Sequence, residues 1–289
     1  MRTKKKLLVA FQGEHGAYSD LAARKFFGEQ IITMPTPSFD AVFEAVAQHK
    51  TQFGIVPLEN SIAGTIHRNY DLLARSMLTI TGEIFLRISH HLLALPSRTN
   101  GIQRLRQIKR VYSHSQALDQ CERFIRSHPW MEAVMYQDTA AAVRFVAQRG
   151  RTDEAAIASN AAANLYGLTI IADNLETNRE NYTRFCVISI PDKKGATVGR
   201  GNKVSILLTL PNVVGSLSRF LVQCAGRGMN LTKVESRPLL GKPWEYLFYA
   251  DFEHSFPPEV LIRSLKALRA EATNLIVLGT YDKGTTYRL

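Results

Sequence analysis

The sequence predicts an α/β protein of two lobes, each on a mostly parallel sheet, followed by a ferredoxin-like βαββαβ unit. Three observations carry that expectation. Short apolar strand-like runs alternate with segments of helical period from residue 7 to residue 171. After Pro191 the composition turns to charge and glycine with little to bury, which reads as a linker over residues 192–203. Beyond it the chain reads strand, helix, two strands, helix, strand.

Residues 7–11 form the first apolar run, broken at Gln12-Gly13-Glu14-His15-Gly16 before helical spacing resumes through Leu21, Ala22, Ala23, Phe26 and Phe27. Strand, glycine turn and helix aim backbone N–H groups at an anion. Gly13-x-x-Gly16 still lacks the third glycine and the acidic partner of a dinucleotide fingerprint. Phe39, Val42, Phe43 and Val46 mark a second helix with Ser38 placed to cap it. Residues 53–57 read as a strand running into Glu59-Asn60-Ser61, which sets a carboxylate, an amide and a hydroxyl at one strand mouth. Asn60 and Ser61 also suit the cap of the helix carrying Tyr70, Leu72 and Leu73. Residues 78–95 are long and extended, as a crossover into a second lobe requires.

Residues 108–112 are another strand, and on a helix from Ser115 the side chains of Gln116 and Gln120 share a face. Asp138-Thr139 opens an alanine-rich helix, and Ser159-Asn160 opens a second that stops at Gly167. Asn181-Tyr182-Thr183-Arg184 then runs into the alternation of residues 185–190. That is a half-buried strand with a polar mouth, where open α/β sheets bind ligands, or a turn and ordinary strand with a solvated arginine.

Composition narrows the classes. Hydrophobic residues at 45% and charged residues at 21% describe a soluble globular chain. The longest apolar runs fall short of the roughly 18 residues of a membrane span, and residues 7–11 are too short for a signal peptide, so no membrane and a cytoplasmic address are expected. Cys121, Cys186 and Cys224 lack metal-ligand spacing, and His90-His91 stands in no metal motif; buried thiols and no metal site are expected. The net charge of +11 divides into +2, +3 and +6 over residues 1–76, 77–190 and 191–289. Without a dense basic stripe, it suits attraction of a small anion better than nucleic acid.

Taken together, several segments resemble one family, the prephenate dehydratases with a C-terminal ACT regulatory domain, including the related arogenate dehydratases. They are Val9-Ala10-Phe11-Gln12-Gly13, Gly16-Ala17-Tyr18-Ser19, Pro57-Leu58-Glu59-Asn60-Ser61-x-x-Gly64, Ser113-His114-x-x-Ala117-Leu118-x-Gln120-Cys121, Asp138-Thr139-x-Ala141, Asn181-Tyr182-Thr183-Arg184-Phe185 and Glu235-Ser236-Arg237-Pro238. They span nearly the whole chain in the family's order.

The resemblance implies a catalytic region, residues 1–191, of two lobes like type II periplasmic binding proteins. Lobe 1 takes residues 7–80 and 175–191, and lobe 2 takes residues 81–174. Residues 204–289 become the ACT domain. It implies that a dianionic small molecule, prephenate, loses carbon dioxide and its ring hydroxyl in the cleft to give phenylpyruvate, without a cofactor. Thr183 matches the threonine that assists the departing hydroxyl, with Asn60, Ser113 and Gln120 as further catalytic positions and Ser19, Glu59, Ser61 and Arg184 as substrate-binding ones. It implies feedback by L-phenylalanine between regulatory domains of a homodimer or homotetramer, at Gly215, Ser216, Leu217, Glu235, Ser236, Arg237 and Pro238. Val214 stands where the family usually has proline and Ser216 where it has alanine. Arogenate, with an amino group for the side-chain keto group, is the alternative substrate, and a non-catalytic two-lobed anion sensor is the alternative class.

Overall fold

The computed structural model describes residues 6–191, 201–239 and 241–288. The first part runs β1 (Leu8–Gln12), α1 (Tyr18–Phe27), β2 (Ile32–Thr36), α2 (Phe39–Ala47), β3 (Phe53–Asn60), β4 (Gly64–Thr65), α3 (His67–Arg75) and β5 (Thr79–Arg87). A second lobe follows as β6 (His91–Ala94), α4 (Gly101–Gln107), β7 (Arg110–Ser113), α5 (Ser115–Gln120), α6 (Glu122–Arg126), β8 (Glu132–Met135), α7 (Thr139–Arg149), β9 (Glu154–Ala158), α8 (Asn160–Tyr166) and β10 (Thr169–Ala172). The chain then returns as β11 (Tyr182–Ser189). It ends in β12 (Lys203–Thr209), α9 (Ser216–Ala225), β13 (Asn230–Pro238), β14 (Tyr246–Glu253), α10 (Pro258–Arg269), β15 (Asn274–Tyr281) and β16 (Thr285–Tyr287).

Three sheets result. The first is ordered β16-β5-β11-β3-β1-β2 with β4 beside β3, the second β10-β6-β9-β7-β8, and the third β13-β14-β12-β15. The third is the antiparallel sheet of a ferredoxin-like βαββαβ unit. Val9, Ala10 and Phe11 of β1 are fully buried, as a strand covered on both faces requires. Helix starts follow their caps: Ser38, Asp138 and Ser159 accept from the N–H three residues on. The three cysteines are free and buried, and burial pushes the Cys186 thiol up to about 12. No helix among the described residues is long and apolar enough to cross a membrane.

Several boundaries move. The first two sheets are mixed rather than mostly parallel, because β11 is antiparallel to both β3 and β5, and β6 is antiparallel to β9 and β10. The lobe division expected at residue 80 falls inside β5, which pairs with β11 along its length, so the first sheet extends to Arg87. Of the expected linker, residues 192–200 lie outside the described residues, and Lys203 is already buried in β12. β16, at the end of the expected regulatory unit, joins the first sheet beside β5.

The third sheet sits against the first. One apolar cluster joins Val42, Tyr70, Leu73, Ile80 and Ile188 to Leu207, Tyr249, Leu278 and Tyr281. Contact is backbone-close at Gly279, where an added Cβ would fall 2.1 Å from the Ile80 carbonyl oxygen.

Candidate active site

β3 and β11 are antiparallel neighbours with Asn60 opposite Thr183 and Glu59 opposite Arg184. Side chains alternate along a strand, so each pair occupies its own face of the sheet. The Asn60 and Thr183 face opens on a cavity of about 500 Å³ between the lobes. Lobe 1 supplies Gln12 at the end of β1, Ala17, Tyr18 and Ser19 at the start of α1, and Ser38 to Asp40 at the start of α2. Lobe 2 supplies His114, Gln116 and Gln120 around α5 and Gln137 to Thr139 at the start of α7. The site therefore lies at strand ends, where the first turns of helices present N–H groups.

A chain of hydrogen bonds crosses the floor. Asn60 Nδ2 donates to Thr183 Oγ1 at 2.9 Å and to Asn181 Oδ1 at 2.7 Å, while Asn60 Oδ1 accepts from the N–H groups of Ile62 and Ala63. Asn181 Nδ2 donates to Gln120 Oε1 at 2.9 Å, and His90 Nε2 lies 2.8 Å from the same oxygen. An amide oxygen only accepts, so His90 carries its proton on Nε2. Gln120 is thereby oriented with its NH₂ free of these partners, and Thr183, accepting from Asn60, keeps its own O–H to donate.

The crossover fixes His90. Its N–H donates to Glu176 Oε2 and its carbonyl accepts from Leu175 N, while Tyr18 Oη donates to the Ser89 carbonyl at 2.5 Å. Burial lowers the His90 pKa against the opposing pull of Gln120 and Glu176, which favours the neutral ring. Burial also raises Tyr18 well above the usual phenol range.

The opposite face belongs to the third sheet. Arg184 is 4% exposed, donates from Nε to Glu83 Oε2 at 2.7 Å and from Nη2 to Tyr281 Oη at 2.8 Å, and pairs through Nη1 with Asp251. Lys203 Nζ lies 2.9 Å from Glu83 Oε1, and Ser205 Oγ donates to Asp251 Oδ1 at 2.5 Å. Burial opposes the charge of Asp251, but Arg184 and Lys203 outweigh it and hold the carboxyl below its usual range. Glu59, on the same face, takes Lys233 Nζ of β13 at 2.9 Å. Arg184 and Glu59 thus point away from the cavity and tie the first sheet to the third.

Two other expected residues also move away from the cleft. Ser113 is fully buried and donates to the Ile157 carbonyl at 2.6 Å, so it clamps β7 to β9 while His114 beyond it lines the cavity. Ser61 Oγ donates to the Glu180 carbonyl and accepts from Tyr182 N, fixing the approach to β11. Ser19, Asn60, Gln120 and Thr183 do line the cavity. Tyr18 and His90 join them without having been singled out, and Asn181, fully buried beneath the cavity, links Asn60 to Gln120. Asn181 stood within a recognised motif, whereas His90 had no signal beyond an apolar extended context.

The expected effector residues divide. Gly215, at φ 79°, caps α9; Ser216 opens the helix, and Leu217 faces a shallow groove with Leu221 and Val222. On β13, Glu235 Oε2 accepts from Thr65 Oγ1 at 3.1 Å and Arg237 pairs with Asp71 of α3 at 3.1 Å, so both face the first lobe. Ser236 and Pro238, alternate with them, are exposed.

The prephenate dehydratase family model matches residues 9–193. The chain is 40% identical over 287 residues to the Arabidopsis thaliana chloroplastic arogenate dehydratase/prephenate dehydratase 2, covering 96% of this chain and 73% of that one. Prephenate dehydratase from Arthrobacter aurescens in complex with L-Phe superposes with a TM-score of 0.83 at 28% identity over 96% of this chain and 90% of that chain. GqqA, described as a novel type of quorum quenching acylase, gives a TM-score of 0.83 at 33% identity over 96% and 98%. The chain belongs to the prephenate dehydratase family.

Proposed function

We propose that the cleft carries out the decarboxylating dehydration of prephenate to phenylpyruvate, a carbon–oxygen lyase reaction of phenylalanine biosynthesis. The observation that carries this reading is the 2.9 Å bond from Asn60 Nδ2 to Thr183 Oγ1. It fixes the threonine oxygen as acceptor and leaves its proton for the leaving ring hydroxyl. A threonine is a poor free acid, so its part is that of an oriented donor whose field is set before the substrate arrives. The free NH₂ of Gln120 is a second neutral donor on the same floor. Substrate carboxylates find the first-turn N–H groups of α1 and α2, whose helix dipoles favour anions. Phe39, Ile66, Ile88 and Phe185 give an apolar wall that suits departure of neutral carbon dioxide. Purified protein should release phenylpyruvate from prephenate; failure to do so would defeat the reading.

An acyl-transfer reading, prompted by GqqA, needs a hydroxyl activated by a base. Among the described residues, neither His90 nor His114 is hydrogen-bonded to a serine or threonine hydroxyl, which favours the dehydratase. Arogenate is the second substrate to consider, since the Arabidopsis relative is named for both activities.

For regulation, residues 1–191 form the catalytic region and the βαββαβ unit the ACT domain. L-Phenylalanine is the effector, bound around Gly215, Ser216, Leu217 and Ser236 where two subunits of a homodimer or homotetramer meet. Val213, Val214, Val222, Val234 and Trp244 are exposed on this unit, an apolar surface that suits such contact. Glu235 and Arg237 act from the other side of β13, by holding the unit against α3 and β4.

A further inference from the structure

We infer that Asp138 is the specificity-determining residue of the cleft, seating the side-chain ammonium of an arogenate-type substrate; this rests on the dehydratase reading above. The cavity lining contains two carboxylates, Asp40 and Asp138, and no lysine or arginine. Asp40 is neutralised by Arg68. Asp138 has no ion-pair partner among the described residues: its Oδ1 caps α7 by accepting from Ala141 N at 2.7 Å, and Glu14 adds to the burial that raises its pKa. A half-buried carboxylate facing a ligand cavity lined by no lysine or arginine lacks its counter-charge until the ligand brings one.

Placement supports the same conclusion. In a 2-amino acid the ammonium and carboxylate hang from one carbon, so an ammonium acceptor must stand beside a carboxylate seat. Asp138 does so: a Cβ built on Gly13 would lie 3.6 Å from Asp138 Oδ2 and 3.6 Å from Cβ of Ala17, the residue just before α1. No side chain among the described residues caps α1, which leaves its first-turn N–H groups to a ligand carboxylate. Burial raises the Asp138 pKa, and an ammonium ligand would reverse that direction. A keto substrate offers Asp138 no charge, only repulsion from its dianion.

The test compares kcat/KM for arogenate and prephenate in the wild type and in Asp138→Asn. Asparagine keeps the helix cap and removes only the charge. The wild type is expected to turn over arogenate, and D138N to lose at least about tenfold in kcat/KM for arogenate, mainly through KM, with prephenate unchanged or improved, a change of the size a charge-assisted contact carries. D138S, a second capping residue without charge, should shift the ratio the same way. An unchanged ratio, an equal loss for both substrates, or a wild type active on prephenate alone would overturn the assignment. A wild type inactive on both would instead bring down the dehydratase reading itself.

Discussion

Thr183 and Arg184 are consecutive on β11, yet the hydroxyl of one meets Asn60 at 2.9 Å in the cleft while the guanidinium of the other is buried among Glu83, Asp251 and Tyr281 on the opposite face. A single strand therefore carries the proposed proton donor on one side and the anchor of the third sheet on the other.

The donor assignment is open to direct test. Thr183→Val is nearly isosteric and removes only the hydroxyl, so kcat should fall about 100- to 1,000-fold, the usual cost of one oriented donor. Asn60→Asp replaces the NH₂ that faces Thr183 with an acceptor and should lower kcat to a similar degree. Steady-state kinetics with circular dichroism as a check on folding would decide; near-normal turnover of T183V removes the threonine from the mechanism.

Arg184→Met should behave differently. Removing one partner of a buried charge cluster leaves Asp251 without its guanidinium and Glu83 with Lys203 alone, a loss of about 3–5 kcal/mol. Thermal denaturation should show a markedly lower Tm, while KM at a temperature where the variant is folded stays near wild type. A large rise in KM without loss of stability would return Arg184 to the substrate site.

Acid should weaken the crossover. Burial lowers the His90 pKa, so below about pH 6.5 the unfolded chain takes a proton that the folded chain refuses, and stability falls as pH drops through that range. His91 and His254 are lowered in the same direction by burial and add to the slope. His90→Asn should therefore give a shallower fall of Tm with acidification. An identical slope would show that His90 is not the group being titrated.

Phenylalanine control makes a prediction about exchange. Because Arg184, Glu83 and Lys203 connect β11 and β5 to β12, effector binding should alter hydrogen exchange across residues 182–187. R184M should keep basal turnover where folded and lose part of its inhibition. Unchanged protection on β11 would shift the mechanism of control to the subunit interface.

Much of the architecture was legible in residue patterns, because strands, capped helices and glycine stops leave local signatures. Ser38, Asp138 and Ser159 cap where their sequence places them. The site was legible in part. Asn60, Gln120 and Thr183 sit at strand mouths or on a helix face turned toward one, which is a local property. Motifs group Glu59 and Arg184 with their cleft neighbours, whereas strand alternation sends them to the opposite face. The place of Ser113 behind the cleft is not legible locally, because its partner, the Ile157 carbonyl, lies on a strand distant in sequence. His90 and Asp138 take their meaning from what surrounds them, Glu176 and Gln120 for one, a cation-free wall for the other, and neither surrounding is written near them in the chain.

The position of β11 between β3 and β5 also has a consequence for synthesis. The second sheet draws all its strands from residues 91–172 and can close while translation continues. The first cannot, since its central gap is filled only when residues 182–189 emerge. Until then β3 and β5 present open edges to each other and to other nascent chains, the circumstance in which strands pair wrongly. On the ribosome, the second lobe is the unit that can fold first, with the catalytic floor the last part of the cleft to be assembled.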